Sequence, residues 1–272
     1  MKLSKKMLTG CVMAALAVGI SATALAATVK EDAIKYGNVH IMTPFVEQSL
    51  GGAAVDKAVS DDLSTNTFNV MQGLVSFKHV EGPKPITAAV YAKNTADAAA
   101  SRKTLNTLGQ YLDNNFKKTE AAVKSAGKPY TLSGKYDVKN STDNTLSIVQ
   151  TFTSYTGGAH SNTQAIAGTY DLKTGKKETL ADQFATGANY KARLMTLIGI
   201  QSKAKARILS NVTGKKVPVY APKSITGNEN FYIDGKNAAV VVFYNPGEIA
   251  PISEGVVNYS FGIDTIGDIM KL

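Results

Sequence analysis

The sequence predicts an α+β fold, with an antiparallel sheet and two main helices packed on it. Three observations predict it. Alternating strands meet across turn-forming residues: Tyr130–Val138 and Leu146–Tyr155 flank the run from Asn140 to Asn144, and Phe231–Asp234 and Ala238–Tyr244 flank Asp234-Gly235. Two long stretches, 94–128 and 188–210, carry apolar residues at helical spacing. No strand–helix–strand unit recurs regularly, which argues against a doubly wound parallel sheet.

The first 26 residues read as a signal peptide. Lys2, Lys5 and Lys6 precede an apolar or small-residue stretch, Met7 to Ala22, and Ala24-Leu25-Ala26 gives a cleavage site before Ala27. Two other fates stay open, lipidation at Cys11 within Leu8-Thr9-Gly10-Cys11 and retention as an uncleaved anchor. Thr28–Gly37 reads as a linker, and Asn38–Val46 as an opening strand in which Pro44 marks an edge or an end. A weak helical pattern begins at Leu50, but from Asp61 to Lys84 strand and helix are equally compatible with Phe68, Val70, Leu74, Val75 and Phe77. Glu81–Pro85 is a loop and Ile86–Ala92 a short strand.

The helix at 94–128 has Thr95 as N-cap, Leu105, Leu108, Leu112, Phe116 and Val123 as its stripe, and Gly127 as its stop; its length predicts a break near Gly109. In the strand 147–155, Leu146, Ile148 and Phe152 share one side with Gln150; Val149, Thr151, Thr153 and Tyr155 share the other. Gly157 and Gly158 then permit positive φ or close backbone approach. Asn162–Leu172 is the next strand, turned by Lys173-Thr174-Gly175, and Leu180–Phe184 is a short helical turn. On the second helix Leu194, Leu197, Ile198, Gln201, Ala204 and Ile208 fall on one side, while Lys203, Lys205 and Arg207 are solvated. Pro218–Glu229 is irregular, Ala239–Phe243 is apolar enough to be covered on both faces, and Val256–Ile263 closes the chain.

Lys2, Lys5 and Lys6 leave with the signal, so the formal charge falls from +9 to +6 and 246 residues remain. Charges of both signs are interspersed, which reads as a solvated surface, with attraction to an anionic polymer or membrane as the sharper alternative. No basic stripe with interleaved aromatics is present, so nucleic acid is not an expected partner. The single cysteine, Cys11, also leaves, and with it any disulfide or thiol chemistry. His40, His79 and His160 form no ligand-spaced pair, and Asp143 with its neighbours does not follow a calcium-loop pattern; no metal or cofactor is expected.

Three blocks carry a resemblance. They are Y-T-G-G-A-H-S-N at 155–162, then Y-D-L-K-T-G-K-K at 170–177 with L-A-D-Q-F at 180–184, then V-V-V-F-Y-N-P-G-E-I-A-P at 240–251 with Glu254-Gly255. In this order they resemble a bacterial extracytoplasmic family that includes the outer domain of the lysozyme-sensing RsiV-type anti-sigma factor and the non-catalytic N-terminal region of some peptidoglycan deacetylases. The match covers roughly 130–272 and extends loosely back to about 38. It implies two regions, 27–165 of the deacetylase-associated type and 166–272 of the RsiV-like type, forming one compact unit. It implies export to the periplasm or the extracellular space. It also implies a lysozyme-like protein or peptidoglycan as partner, with only the outer module expected and no anti-sigma segment.

The expected function is a secreted, non-enzymatic binding or sensing module. Its candidate contacts are the tips of two loops: Tyr155, Thr156, His160 and Asn162 in one, Tyr244, Asn245 and Glu248 in the other. The alternatives are a cell-wall carbohydrate-active enzyme and a structural envelope protein. Against an enzyme, the paired Asp and metal histidines of carbohydrate deacetylases are missing, as are G-x-S-x-G, H-E-x-x-H, P-loop and dinucleotide motifs. Glu248 and Glu254 resemble a glycosidase carboxylate pair only in residue type, and His160-Ser161 lacks an orienting acid.

Overall fold

The computed structural model describes residues 27–77, 98–122 and 128–271. The expected signal segment, the loop at 81–85, the strand at 86–92 and the helix flanks at 94–97 and 123–127 lie outside the described residues. The architecture is α+β and dominated by antiparallel pairing. Its described strands form two sheets. The first has the order β1 (Thr28–Tyr36), β2 (Val39–Gln48), β3 (Thr131–Ser141), β4 (Thr145–Tyr155), β5 (Asn162–Asp171). The second contains β6 (Asn230–Asp234), β7 (Ala239–Tyr244) and β8 (Val257–Gly262). Among the described strands every pairing is antiparallel except β2–β3, which runs parallel over Val39↔Leu132 to Ile41↔Gly134. A parallel pair needs a crossover, and the helices α1 (Ala53–Phe77) and α2 (Ala98–Ala122) belong to it.

Four layers result. α1 and α2 lie on one face of the first sheet, where Phe68, Met71, Leu105, Leu108 and Leu112 meet Ile34, Ile41, Leu132 and Phe152. Val55, Val59 and Leu63 of α1 continue that core against Leu146, Ile148 and Tyr170. The second sheet covers the opposite face, with Phe243 and Tyr232 against Val149, Ala165 and Ala167. α3 (Tyr190–Thr213) covers the far face of the second sheet, packing Leu194 and Ile198 on a cluster that includes Val240, Val242, Tyr259 and Phe261. Strand β7 is buried along its whole length, as its apolar run predicts.

Four sequence expectations change. The single expected sheet is two, with helices on both outer layers, because the second sheet turns its other face outward and α3 covers it. The 28–37 segment is strand β1, an edge strand; its exposed Lys30, Glu31 and Lys35 gave it the composition of a linker. The undecided stretch is α1, a third long helix, continuous to Phe77. Helix α2 runs through Gly109 without a break. A Cβ there would lie 2.5 Å from Ile34 Cγ2, so this glycine lets β1 approach the helix.

One buried polar network fixes the register of α1 on the sheet. Gln150 Nε2 donates to Leu63 O at 3.1 Å and to Thr67 Oγ1 at 3.2 Å, and its Oε1 accepts from Asn66 Nδ2 at 3.0 Å. Gln150 is 1% exposed, so each of these bonds replaces one to water.

Candidate functional site

The inward face of β4 and β5 changes chemistry along its length. Ile148 and Phe152 pack on the helices, but two residues on from Phe152 the same face carries Ser154, paired with Asn162 across the strands; Phe152 itself pairs with Gln164. Above this polar end lies the C-terminal half of α1, which contributes Asn69, Val70, Gly73 and Leu74. Between them is an open cavity of about 360 Å³. Leu132 and Phe152 belong to its lining, together with the hydrogen-bonding groups of Asn69, Ser154, Thr156, Asn162 and Gln164. A Cβ built on Gly73 meets nothing within 4 Å, so the cavity has space where another residue type would project.

The loop beside the cavity is held from below. Gly157 and Gly158 take φ of 93° and 96°, values that side-chain-bearing residues resist, as the sequence requires. Tyr155 Oη donates to Gly158 O at 3.1 Å and its ring meets Tyr130 edge-on at 6.4 Å. Tyr130 in turn meets Phe116 of α2 edge-on at 6.1 Å. This aromatic series anchors the turn to the core, while Gly158 to Asn162 stay exposed, His160 among them.

Residues 57–163 match the family model described as Deacetylase PdaC, and residues 181–262 match DUF3298, a protein of unknown function. The chain carries a PdaC/DUF3298-type architecture. A crystal structure of a DUF3298 family member from Bacteroides fragilis resembles it with a TM-score of 0.56 and 17% identity, covering 90% of this chain and 95% of that one. A DUF3298 family protein from Pseudomonas aeruginosa gives a TM-score of 0.51 and 16% identity over 90% and 94%. At this identity the likeness establishes the fold alone. No curated protein matches the chain.

The cavity and its loop belong to the PdaC-type segment, apart from Gln164, one residue beyond the match. The DUF3298-type segment holds the other three candidate residues, and the structure does not bring them into the cavity. Tyr244 is 8% exposed and part of the second core; burial, then the Glu229 carboxylate, pushes its hydroxyl up. Asn245 binds the edge of β5 through its side chain: Oδ1 accepts from Ala165 N at 2.7 Å and Nδ2 donates to Ala165 O at 3.1 Å. Glu248 accepts the Asn245 N–H at 2.8 Å and closes that turn. So Thr156 and Asn162 line the cavity, His160 sits on its exposed loop and Tyr155 supports that loop, while Asn245, with Glu248 closing its turn, ties the second sheet to β5 and Tyr244 lies in the core under α3.

Asn69, Gly73, Ser154 and Gln164 also line the cavity, and the sequence did not single them out. The period-2 pattern places Ser154 and Gln164 on the Phe152 face, and polar residues on an inward face are the signal that points to them. Asn69 and Gly73 carried no signal while α1 itself was undecided. Among the described residues, no group of three or more His, Cys, Asp or Glu side chains is arranged to hold a metal ion.

Proposed function

We propose that this protein is a non-enzymatic binding module of the bacterial cell envelope, and that the cavity beside the 156–162 loop takes an uncharged glycan of the wall. The lining chemistry carries this reading. Asn69, Ser154, Thr156, Asn162 and Gln164 offer neutral donors and acceptors over an apolar floor of Leu132 and Phe152, and none of the cavity's lining residues is ionisable. Sugar hydroxyls and N-acetyl groups are neutral donors and acceptors as well, and the apolar face of a sugar ring suits an aromatic or aliphatic floor. The RsiV-like resemblance and the exposed run Gly158–Asn162 support a second reading, a lysozyme-like protein gripping the loop itself.

Titration calorimetry on residues 27–272 separates the two. Oligomers of N-acetylglucosamine, the uncharged sugar of the wall, should release heat that is lost in Gly73→Leu, a substitution that fills the cavity from an unstrained helical position. Lysozyme binding that survives Gly73→Leu but weakens in His160→Ala supports the loop reading. Heat from neither titrant removes both. Sugar turnover in the same samples would replace the binding module with an enzyme.

A further inference from the structure

The charge of this chain is unevenly placed. Between Asp182 and Glu229 there is no carboxylate, and eight Lys or Arg residues fall in that interval. Most of the interval is α3. Four of the seven exposed large apolar side chains among the described residues, Ile200, Ile208, Val212 and Val219, also lie here. The buried side of α3 is Leu194, Ile198, Ser202 and Ala206. Ile208, read from the sequence as part of that side, is 62% exposed.

Ile200, Lys203, Ala204, Arg207, Ile208 and Asn211 follow the i, i+3, i+4, i+7, i+8, i+11 spacing of one helical face, and all six are exposed. Neither Lys203 nor Arg207 forms an ion pair with a described residue. Lys205 is set apart, beside a small pocket that Glu254 also lines.

We propose that this outward face of α3 docks on an anionic phospholipid surface, with Ile200 and Ile208 entering the interface between headgroups held by Lys203 and Arg207. A soluble polyanion would use the two cations and gain nothing from the two isoleucines; a lipid interface uses both, since apolar side chains partition into it and each cation near an anionic surface adds to the attraction. The inference rests on α3 alone and not on the cavity.

Residues 27–272, which contain every described element, are tested by co-sedimentation with vesicles. Vesicles of equimolar phosphatidylglycerol and phosphatidylcholine should bind the protein, and pure phosphatidylcholine should not. Lys203→Glu with Arg207→Glu should weaken partitioning roughly tenfold or more. Lys103→Glu with Lys118→Glu, both exposed on α2, changes net charge equally on the other helical layer and should have little effect. Ile200→Ser with Ile208→Ser should weaken binding about tenfold with circular dichroism unchanged. The proposal is overturned if the two charge variants lose binding equally or if the serine variant binds like the parent. It is likewise overturned if soluble polyglycerol phosphate competes fully, which would assign the face to an anionic polymer.

Discussion

Gly168 has no side chain because Tyr170 uses the space: a Cβ there would collide with the Tyr170 hydroxyl and ring. Gly168→Ala should therefore destabilise the fold by about 1–3 kcal/mol in urea titration, the usual scale of overpacking. Tyr170 is fully buried, its hydroxyl donates to Asp62 Oδ2 at 2.7 Å, and Lys177 Nζ meets the same oxygen at 3.0 Å. Burial, then the Asp62 carboxylate, holds that hydroxyl well above the usual phenol range. An unfolded tyrosine gives up its proton near pH 10, the folded one only well beyond. Its contribution to stability is intact below about pH 10 and declines as the pH rises past it, because the unfolded state loses the proton first. Thermal melts across this range should show the decline, and Tyr170→Phe should reduce it; an identical profile in both would remove Tyr170 as its source. Gln150→Leu tests a second buried polar group, and should cost about 1–3 kcal/mol by leaving Asn66, Thr67 and Leu63 O without this partner.

At the scale of elements, α1 decides how much of the site could be read beforehand. Its apolar positions, Val55, Val59, Leu63, Phe68, Met71 and Val75, do follow a helical course. They are interrupted by Thr65, Asn66 and Thr67, poor helix formers, and here the reason is tertiary: Asn66 and Thr67 reach Gln150 across the sheet. Such a match is visible only once the sheet exists. The hairpins β3–β4 and β6–β7 were legible because alternation and turn chemistry are local, and the loop at Gly157-Gly158 was legible for the same reason. The cavity was half legible, through Thr156 and Asn162. Tyr244 was misread as a tip because an apolar strand gives no sign of where its cover ends. Gly73→Ala belongs at this scale. It sits in a helix interior with open space around it, so it should raise stability by roughly 0.5–1 kcal/mol, measured as a shift in denaturation midpoint.

For the whole molecule, the contact between the two sheets matters more than its size suggests. Phe243 and Tyr232 meet Val149, Ala165 and Ala167, and three polar links accompany them: Ile233 N to Ser147 Oγ at 3.2 Å, Gly235 N to Lys139 O at 3.0 Å, and the Asn245 pair on Ala165. Calorimetric unfolding should show one transition, since each sheet buries a face that would otherwise be wet. Phe243→Ala should remove about 3–5 kcal/mol and lower that single transition. Two resolved transitions in the parent protein would mean that the halves are energetically separate. The two sheets also set α3 apart from the α1–α2 layer, so a lipid surface under α3 leaves the other helical layer on the opposite side.

β5 ends the first sheet, and an exposed strand edge is a template on which another chain can add. The Asn245 side chain occupies both backbone groups of Ala165, and Glu178 N donates to Thr169 O at 2.8 Å four residues further on. The side-chain amide thus imitates the next strand for one residue and stops there. Its loss should be felt in colloidal behaviour as well as in folding. Asn245→Ala, concentrated and held below its melting temperature, should form thioflavin-positive aggregates sooner than the parent, because the vacated edge invites a second copy to continue the sheet.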